Sequence, residues 1–291
     1  MSRTVWRWVR LVGALAVLAV LVWRVGTGPF LDGLRSVDAS AVTAAVALGA
    51  LTTVCAAWRW TAIARGLGKQ LPYRSAVAAY YRAQFLNTAL PAGVLGDVHR
   101  GVRHGLRPVV WERVAGQVVQ VAIAFVVLTA LPWPGRAAMP YVALGVVAVL
   151  LAAVLVHTTS GAVRSELCRA FGSSWRVVLL SSTIVVAGHA ATFLVAAHAA
   201  GVHASVLRML PLALLALLAM AVPLNIGGWG PREGVAAWSF GAAGLGAGVG
   251  VATATVYGVL VIAACLPGAL VLLAKPSRPV ETRAREQVLH G

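Results

Sequence analysis

The sequence predicts an all-α, polytopic membrane bundle of six spanning helices and two re-entrant helical hairpins, set out as an inverted repeat would set them. Three observations lead there. The chain of 291 residues is 60% hydrophobic with a mean hydropathy of +0.85, where a soluble domain is roughly half apolar. Its apolar runs are long enough to cross a hydrocarbon core of about 30 Å. Finally, two of them are broken by the same pattern, P-x4-G-x3-R, once from Pro91 through Gly96 to Arg100 and once from Pro223 through Gly228 to Arg232. Irregular backbone survives at membrane depth only where protein or a wet cavity satisfies its polar groups. Matched breaks in the two halves of a membrane protein point to a transport site.

The elements follow in order. The first run, 9–25, starts behind Arg3 and Arg7, carries Arg10 and lacks a small-residue cleavage site, so it reads as a retained helix with a cytoplasmic N-terminus. The loop near 26–39 is poor in positive charge and suits the outside. The second run, 40–63, leads to Arg65, Lys69 and Arg74, which suit the inside. Region 75–98 is followed by Arg100, Arg103, Arg107 and Arg113, again suited to the inside. Two successive inside loops make 75–98 a hairpin that enters and leaves by one face. Runs 112–131, 139–157 and 177–200 then alternate across the membrane, with Arg164, Arg169 and Arg176 inside. The last run, 250–274, delivers the basic tail 275–291 to the cytoplasm, which requires region 209–247 to return to its own, outer side. Residues 1–274 thus form a single transmembrane domain. Eight ordinary, kinked spans are the alternative, with the same parity.

Charge and cysteine content exclude several classes. The net charge is +16, but the arginines cluster at the ends of apolar runs, where they orient the chain and attract anionic lipid. Without a soluble basic face, nucleic acid is not expected as a partner. Cys55, Cys168 and Cys265 are odd in number and far apart, so neither a disulfide framework nor a metal site is indicated. No cofactor is expected. Trp6, Trp8, Trp23, Trp58, Trp60, Trp111 and Trp133 lie near span ends and suit an interfacial belt. The glycines from Gly241 to Gly250 suit close helix packing or a hinge rather than a nucleotide loop.

Of eight acidic residues, Asp97, Glu112 and Glu233 lie at or near membrane depth. A charge there costs several kcal/mol unless it is paired, roughly 2.5–3.5 on insertion scales. Arg100 is the local candidate for Asp97, Arg113 for Glu112 and Arg232 for Glu233, or exchanges among them. Glu112, Gly116 and Gln120 recur at i, i+4 and i+8, a polar stripe that should face the interior or a cavity. Asn87 and Gln84 before the first break, and Asn225 in the second, are placed to line the same chamber. Guanidinium forks bind phosphate oxygens, and helix starts behind Gly-rich breaks favour anions. Arg100, Arg232, Glu233, Asp97, Glu112, Arg113, Asn87 and Asn225 are therefore the candidate substrate-binding residues. A purely structural ion-pair knot is the competing reading. His99 and His104 suit a solvated basic loop, and His189 a packing role.

Taken together, Pro91, Gly93, Gly96-Asp97 and Arg100, then Glu112-Arg113, then Pro223, Gly228, Gly230 and Arg232-Glu233 resemble the lysylphosphatidylglycerol synthase transmembrane-region family, or flippase-like membrane proteins. The likeness runs from about Trp58 to Ala274. It departs at Gly116-Gln117, where the family often has an acid. The resemblance implies a protein that moves, or helps move, an anionic phospholipid or lipid-linked glycan between leaflets. It implies no enzyme activity, since the aminoacyl transferase domain of full synthases is not expected here. Two alternatives stand: a non-transporting membrane partner of an envelope glycosyltransferase, and an intramembrane lipid-modifying enzyme. No D-x-x-D, H-x-x-H or G-x-S-x-G motif supports the latter. Two lysines against 22 arginines fit a bacterial protein, and the expected location is a bacterial plasma membrane.

Overall fold

The computed structural model describes residues 27–89, 95–138, 161–221 and 230–273. Among them the regular structure is helical throughout, as the sequence predicts. A short helix, α1 (Gly28–Arg35), precedes α2 (Ala39–Gly66), which starts where the Asp38 carboxylate accepts from Ala41 N–H at 2.8 Å. Then come α3 (Tyr73–Ala89), α4 (Leu95–His104), α5 (Leu106–Ala130) and a 3-10 turn at Arg136–Ala138. The second half holds α6 (Gly161–Phe171), α7 (Trp175–Ala199), α8 (Val206–Met220), α9 (Pro231–Ala242), α10 (Ala247–Cys265) and α11 (Pro267–Leu273).

Four helical stretches are long and apolar enough to cross a membrane: Ala39–Gly66, Leu106–Ala130, Trp175–Ala199 and Ala247–Leu272. They match four of the six runs read from the sequence. The other two, 9–25 and 139–157, lie outside the described residues, as do the tail 275–291 and Asn225. One boundary needs correction. Arg100 and Arg103 sit on α4, and Arg107 and Arg113 on α5, not in a loop. Helix extends through them because Arg100, Glu112 and Arg113 have carboxylate or guanidinium partners that satisfy their charges.

Each break joins two helices that fold back on one another. In the first, Gly96 of α4 lies so close to α3 that a Cβ there would sit 2.0 Å from the Ala83 carbonyl oxygen. In the second, Arg208 at the start of α8 donates to the Ala243 carbonyl at the end of α9, 2.6 Å away. At 1.5 Å per residue, α3 and α4 extend about 26 and 15 Å, and α8 and α9 about 22 and 18 Å. All four arms fall short of a core of about 30 Å.

The bundle closes through small residues. A Cβ on Gly188 of α7 would meet Thr52 of α2 at 2.4 Å, and one on Gly49 of α2 would meet Ala264 of α10 at 2.6 Å. Such contacts let helix backbones approach where lipid offers no hydrophobic drive. The glycine-rich stretch behaves as read. Gly244 and Gly246 adopt positive φ in the turn between α9 and α10, and Gly250 packs on the Ala236 carbonyl. The main core joins Phe193, Leu212, Leu214, Phe240, Tyr257 and Leu260 from α7 to α10.

Candidate functional site

One cavity of about 290 Å³ lies among α2, α3, α5, α7, α8, α9 and α10. Gln84, Asn87 and Thr88 line it from the first helix pair, and Met220 and Arg232 from the second. Both helix pairs therefore border the same space. Arg59, Arg113 and Arg232 are its charged lining residues. Around them stand amides and hydroxyls, including Gln117, Gln120, Ser182 and Thr192. The polar stripe on α5 faces inward as expected: Glu112 is buried, while Gly116 and Gln120 border the cavity.

Behind the lining lies an ion-pair lattice that ties α2, α3, α4 and α5 together. Glu112 is fully buried. Its Oε1 accepts from Arg59 Nε at 3.1 Å, from Arg59 Nη2 and from the Tyr80 hydroxyl at 3.0 Å. Its Oε2 accepts from Arg100 Nη2 at 2.9 Å. Arg100 also donates to Asp97 Oδ1 at 2.9 Å. The Asp97 Oδ2 accepts from Arg113 at 2.5 Å and from the Asn87 amide at 3.0 Å. Three guanidinium groups against two carboxylates leave this lattice one net positive charge.

Aromatic rings complete the setting. The Arg100 guanidinium lies between the faces of Trp60, 4.5 Å from the ring centre, and Tyr80, 4.3 Å away. Such cation–π contacts gain strength when desolvated. Arg59 extends past Glu112 to donate to Ser182 on α7 at 2.9 Å. Asn87 bridges the first break: its Oδ1 accepts from Gly96 N–H at 2.8 Å while its amide holds Asp97. It thereby satisfies an otherwise orphaned donor at the start of α4.

The second site is local. Gly230 precedes α9 with φ +111, a left-handed conformation that favours glycine, and Pro231 opens the helix. The Glu233 carboxylate reaches back to Gly230 N–H at 2.6 Å. Its other oxygen accepts from Arg232 Nε at 3.0 Å and Nη2 at 2.5 Å. Arg232 lies over the Tyr257 ring, 5.2 Å from its centre. The Tyr257 hydroxyl meets His189 Nδ1 at 3.2 Å, and His189 borders the cavity.

The sequence-predicted residues therefore separate into two layers. Arg113, Arg232 and Asn87 border the cavity. Asp97, Arg100, Glu112 and Glu233 stand behind it and hold the lining groups; Arg100 is 1% exposed and Glu112 and Glu233 are 0% exposed. Asp97–Arg100 and Arg232–Glu233 pair as read, but Glu112 pairs with Arg59 and Arg100, and Arg113 with Asp97. Sequence reasoning missed Arg59, Tyr80 and Ser182. A lone arginine inside the apolar run 40–63 was the available signal for the first. Two further corrections follow. Trp60 is fully buried beneath Arg100, not in an interfacial belt. His99 and His104 lie on α4 rather than in a loop, and His104 packs edge-on against Trp60 at 5.5 Å.

A family model described as the lysylphosphatidylglycerol synthase TM region matches residues 7–268. No curated protein and no solved structure matches the chain.

Proposed function

Since the chain belongs to the lysylphosphatidylglycerol synthase transmembrane-region family, and is thus an integral membrane protein, we propose that it moves, or helps move, an anionic lipid between leaflets. The headgroup would pass through the cavity while the acyl chains stay in the bilayer. One observation carries this reading: a cavity bordered by helices of both pairs is lined by Arg59, Arg113 and Arg232. Preorganised guanidinium groups offer a phosphate the hydrogen bonds it loses on leaving water. The two helix pairs, each too short to cross, would enter from opposite faces, as the positive-inside distribution favours. The membrane would be the bacterial plasma membrane.

The layered geometry divides the roles. Arg113 and Arg232 meet the phosphate. Glu112 and Asp97 fix the forks of Arg59, Arg100 and Arg113, and Glu233 fixes Arg232. Leaflet-to-leaflet movement of a fluorescent phosphatidylglycerol in vesicles containing the purified chain tests the proposal. Flux should exceed that of empty vesicles and fall at least tenfold with Arg113→Gln or Arg232→Gln. Flux equal to empty vesicles, or unchanged in both variants, overturns it. The first of those results is what a non-transporting partner of a glycosyltransferase would give.

A further inference from the structure

A second group of charges lies on another face of the first helix pair. Tyr80, Gln84 and Asn87 of α3 border the cavity, whereas Arg82, half a turn away from the first two, does not. Arg82 turns instead to α11, where its Nη2 donates to the Val271 carbonyl at 3.4 Å, a long contact. Its Nε is buried and has no partner among the described residues. A guanidinium carries five N–H donors, so most of this fork is unused. On α4 stand His99 and Arg103, which also lie off the cavity. Arg103 opposes the charge of Arg82, and both oppose a charge on His99. The Lys69 ammonium packs on Gly105, just beyond the end of α4.

No acid answers this positive patch. The nearby carboxylates are committed elsewhere: Asp97 to Arg100 and Arg113, and Glu166 to Arg107. Among the described residues, Lys69, Arg82 and Arg103 form no ion pair. Like charges on adjacent helices repel, and a guanidinium drawn toward hydrocarbon carries a cost of its own. A bound anion relieves both penalties, and a phosphate suits the open fork of Arg82.

The neighbouring side chains indicate which anion. α4 has two faces. Gly96 and Arg100 are buried, whereas Val98 and Val102 point away from the bundle, Val102 being 82% exposed. Beside Val271, Leu266 and Leu270 are exposed as well, Leu270 by 69%. A soluble anion would leave these apolar groups uncovered, whereas a lipid covers them with its acyl chains. Val271 lies one residue before the end of the last spanning stretch, Ala247–Leu272. The arginine distribution favours the cytoplasmic side for that end, and basic sites between helices on that side suit anionic headgroups.

We propose that Arg82 and Arg103, with His99 between them, hold the phosphate of a resident anionic phospholipid of the cytoplasmic leaflet. Its acyl chains lie along Val98, Val102 and Leu270. This lipid is a fixed part of the protein's outer surface, separate from the cavity and from whatever crosses it. It neutralises the patch and braces α3 and α4 against α11. The proposal does not depend on translocation.

Native mass spectrometry of the purified full chain tests it, with phosphatidylglycerol and phosphatidylcholine of equal chain length as probes. Both carry a phosphodiester, but only the first is a net anion. Because the cavity is an alternative home for the probe, the reference chain carries Arg113→Gln. It should retain phosphatidylglycerol at least tenfold more tightly than phosphatidylcholine. Adding Arg82→Gln with Arg103→Gln should lower the phosphatidylglycerol affinity at least tenfold, whereas Arg82→Lys, which keeps the charge, should lower it less than threefold. If the Arg82→Gln chain fails to fold, Arg103→Gln alone, at an exposed side chain, should lower the affinity at least threefold. Equal retention of the two lipids by the reference chain, or affinity unchanged by the Arg82 and Arg103 substitutions, overturns the inference. Displacement of the lipid by inorganic phosphate at a tenfold molar excess overturns it too, by making the patch a soluble-anion site. Flux separates this proposal from the previous one. Selective retention without flux sinks translocation alone, whereas flux without selective retention sinks the resident lipid alone.

Discussion

Replacing Glu112 by Gln should cost far more stability than replacing Arg113, the exposed charge of the cavity lining. Every hydrogen bond to this carboxylate is a donation: from Arg59 through Nε and Nη2, from Arg100 through Nη2 and from the Tyr80 hydroxyl. A glutamine keeps the shape but turns one acceptor into an amide donor that faces donors. It also strips counter-charge from Arg59 and Arg100, which are 4% and 1% exposed. Breaking a buried ion pair from one side costs about 3–5 kcal/mol. For a chain of this size that lowers a thermal midpoint by roughly 10 °C. Heating the purified protein in detergent and following its monodisperse fraction measures the shift. The pair Arg59→Met with Glu112→Met should be less damaging than the sum of its parts by about 1–3 kcal/mol, because the double variant removes the stranded charge as well as its partner. Arg100 keeps Asp97 in that variant. A Glu112→Gln shift below about 3 °C, which corresponds to roughly 1 kcal/mol, or strict additivity of the Met pair would refute the lattice as the element that holds these helices together.

Arg113 should behave in the opposite way. Its side chain is 44% exposed, so Arg113→Gln should change stability by about 1 kcal/mol or less while lowering phosphatidylglycerol flux at least tenfold. Gly96→Ala should prevent α4 from closing on α3, since its Cβ would meet backbone rather than a flexible side chain; a loss of about 3 kcal/mol is expected by the same heating assay. Gly116→Ala acts at one remove. Its Cβ would come within 2.9 Å of the Arg59 guanidinium, so it should weaken binding by displacing the fork, with a stability cost of about 1–3 kcal/mol. Cysteines introduced at Asn87 and Asn225, with the exposed Cys168 replaced, should react with a membrane-impermeant thiol reagent from opposite sides of the membrane; labelling from one side would undo the opposed-hairpin topology.

The sequence made the helical class, the two breaks and the inward face of α5 legible because each is written in local spacing. Asp97 and Arg100 are three residues apart, and Arg232 and Glu233 are adjacent, so those pairs could be read directly. The remaining partners are joined only by tertiary packing. Arg59 meets Glu112 across 53 residues and Ser182 across 123. An arginine beside Trp58 and Trp60 near the end of an apolar run has the composition of an interfacial anchor. Only the docking of α4 turns that end inward, burying Trp60 and setting Arg100 above it. The division into lining and supporting residues was hidden for the same reason. A charge at membrane depth shows that it needs a partner, but not whether it faces the cavity or the lattice behind it.

Asn87 gives the first break a mechanical character. By gripping Gly96 N–H and Asp97 together, it fastens the tip of the insert to charges that are themselves locked to three other helices. Swinging this insert on its own would rupture several desolvated contacts simultaneously, whereas carrying α2 through α5 along as one plate would rupture none of them. If the protein works by rocking, this plate is a stator against which the opposite wall moves.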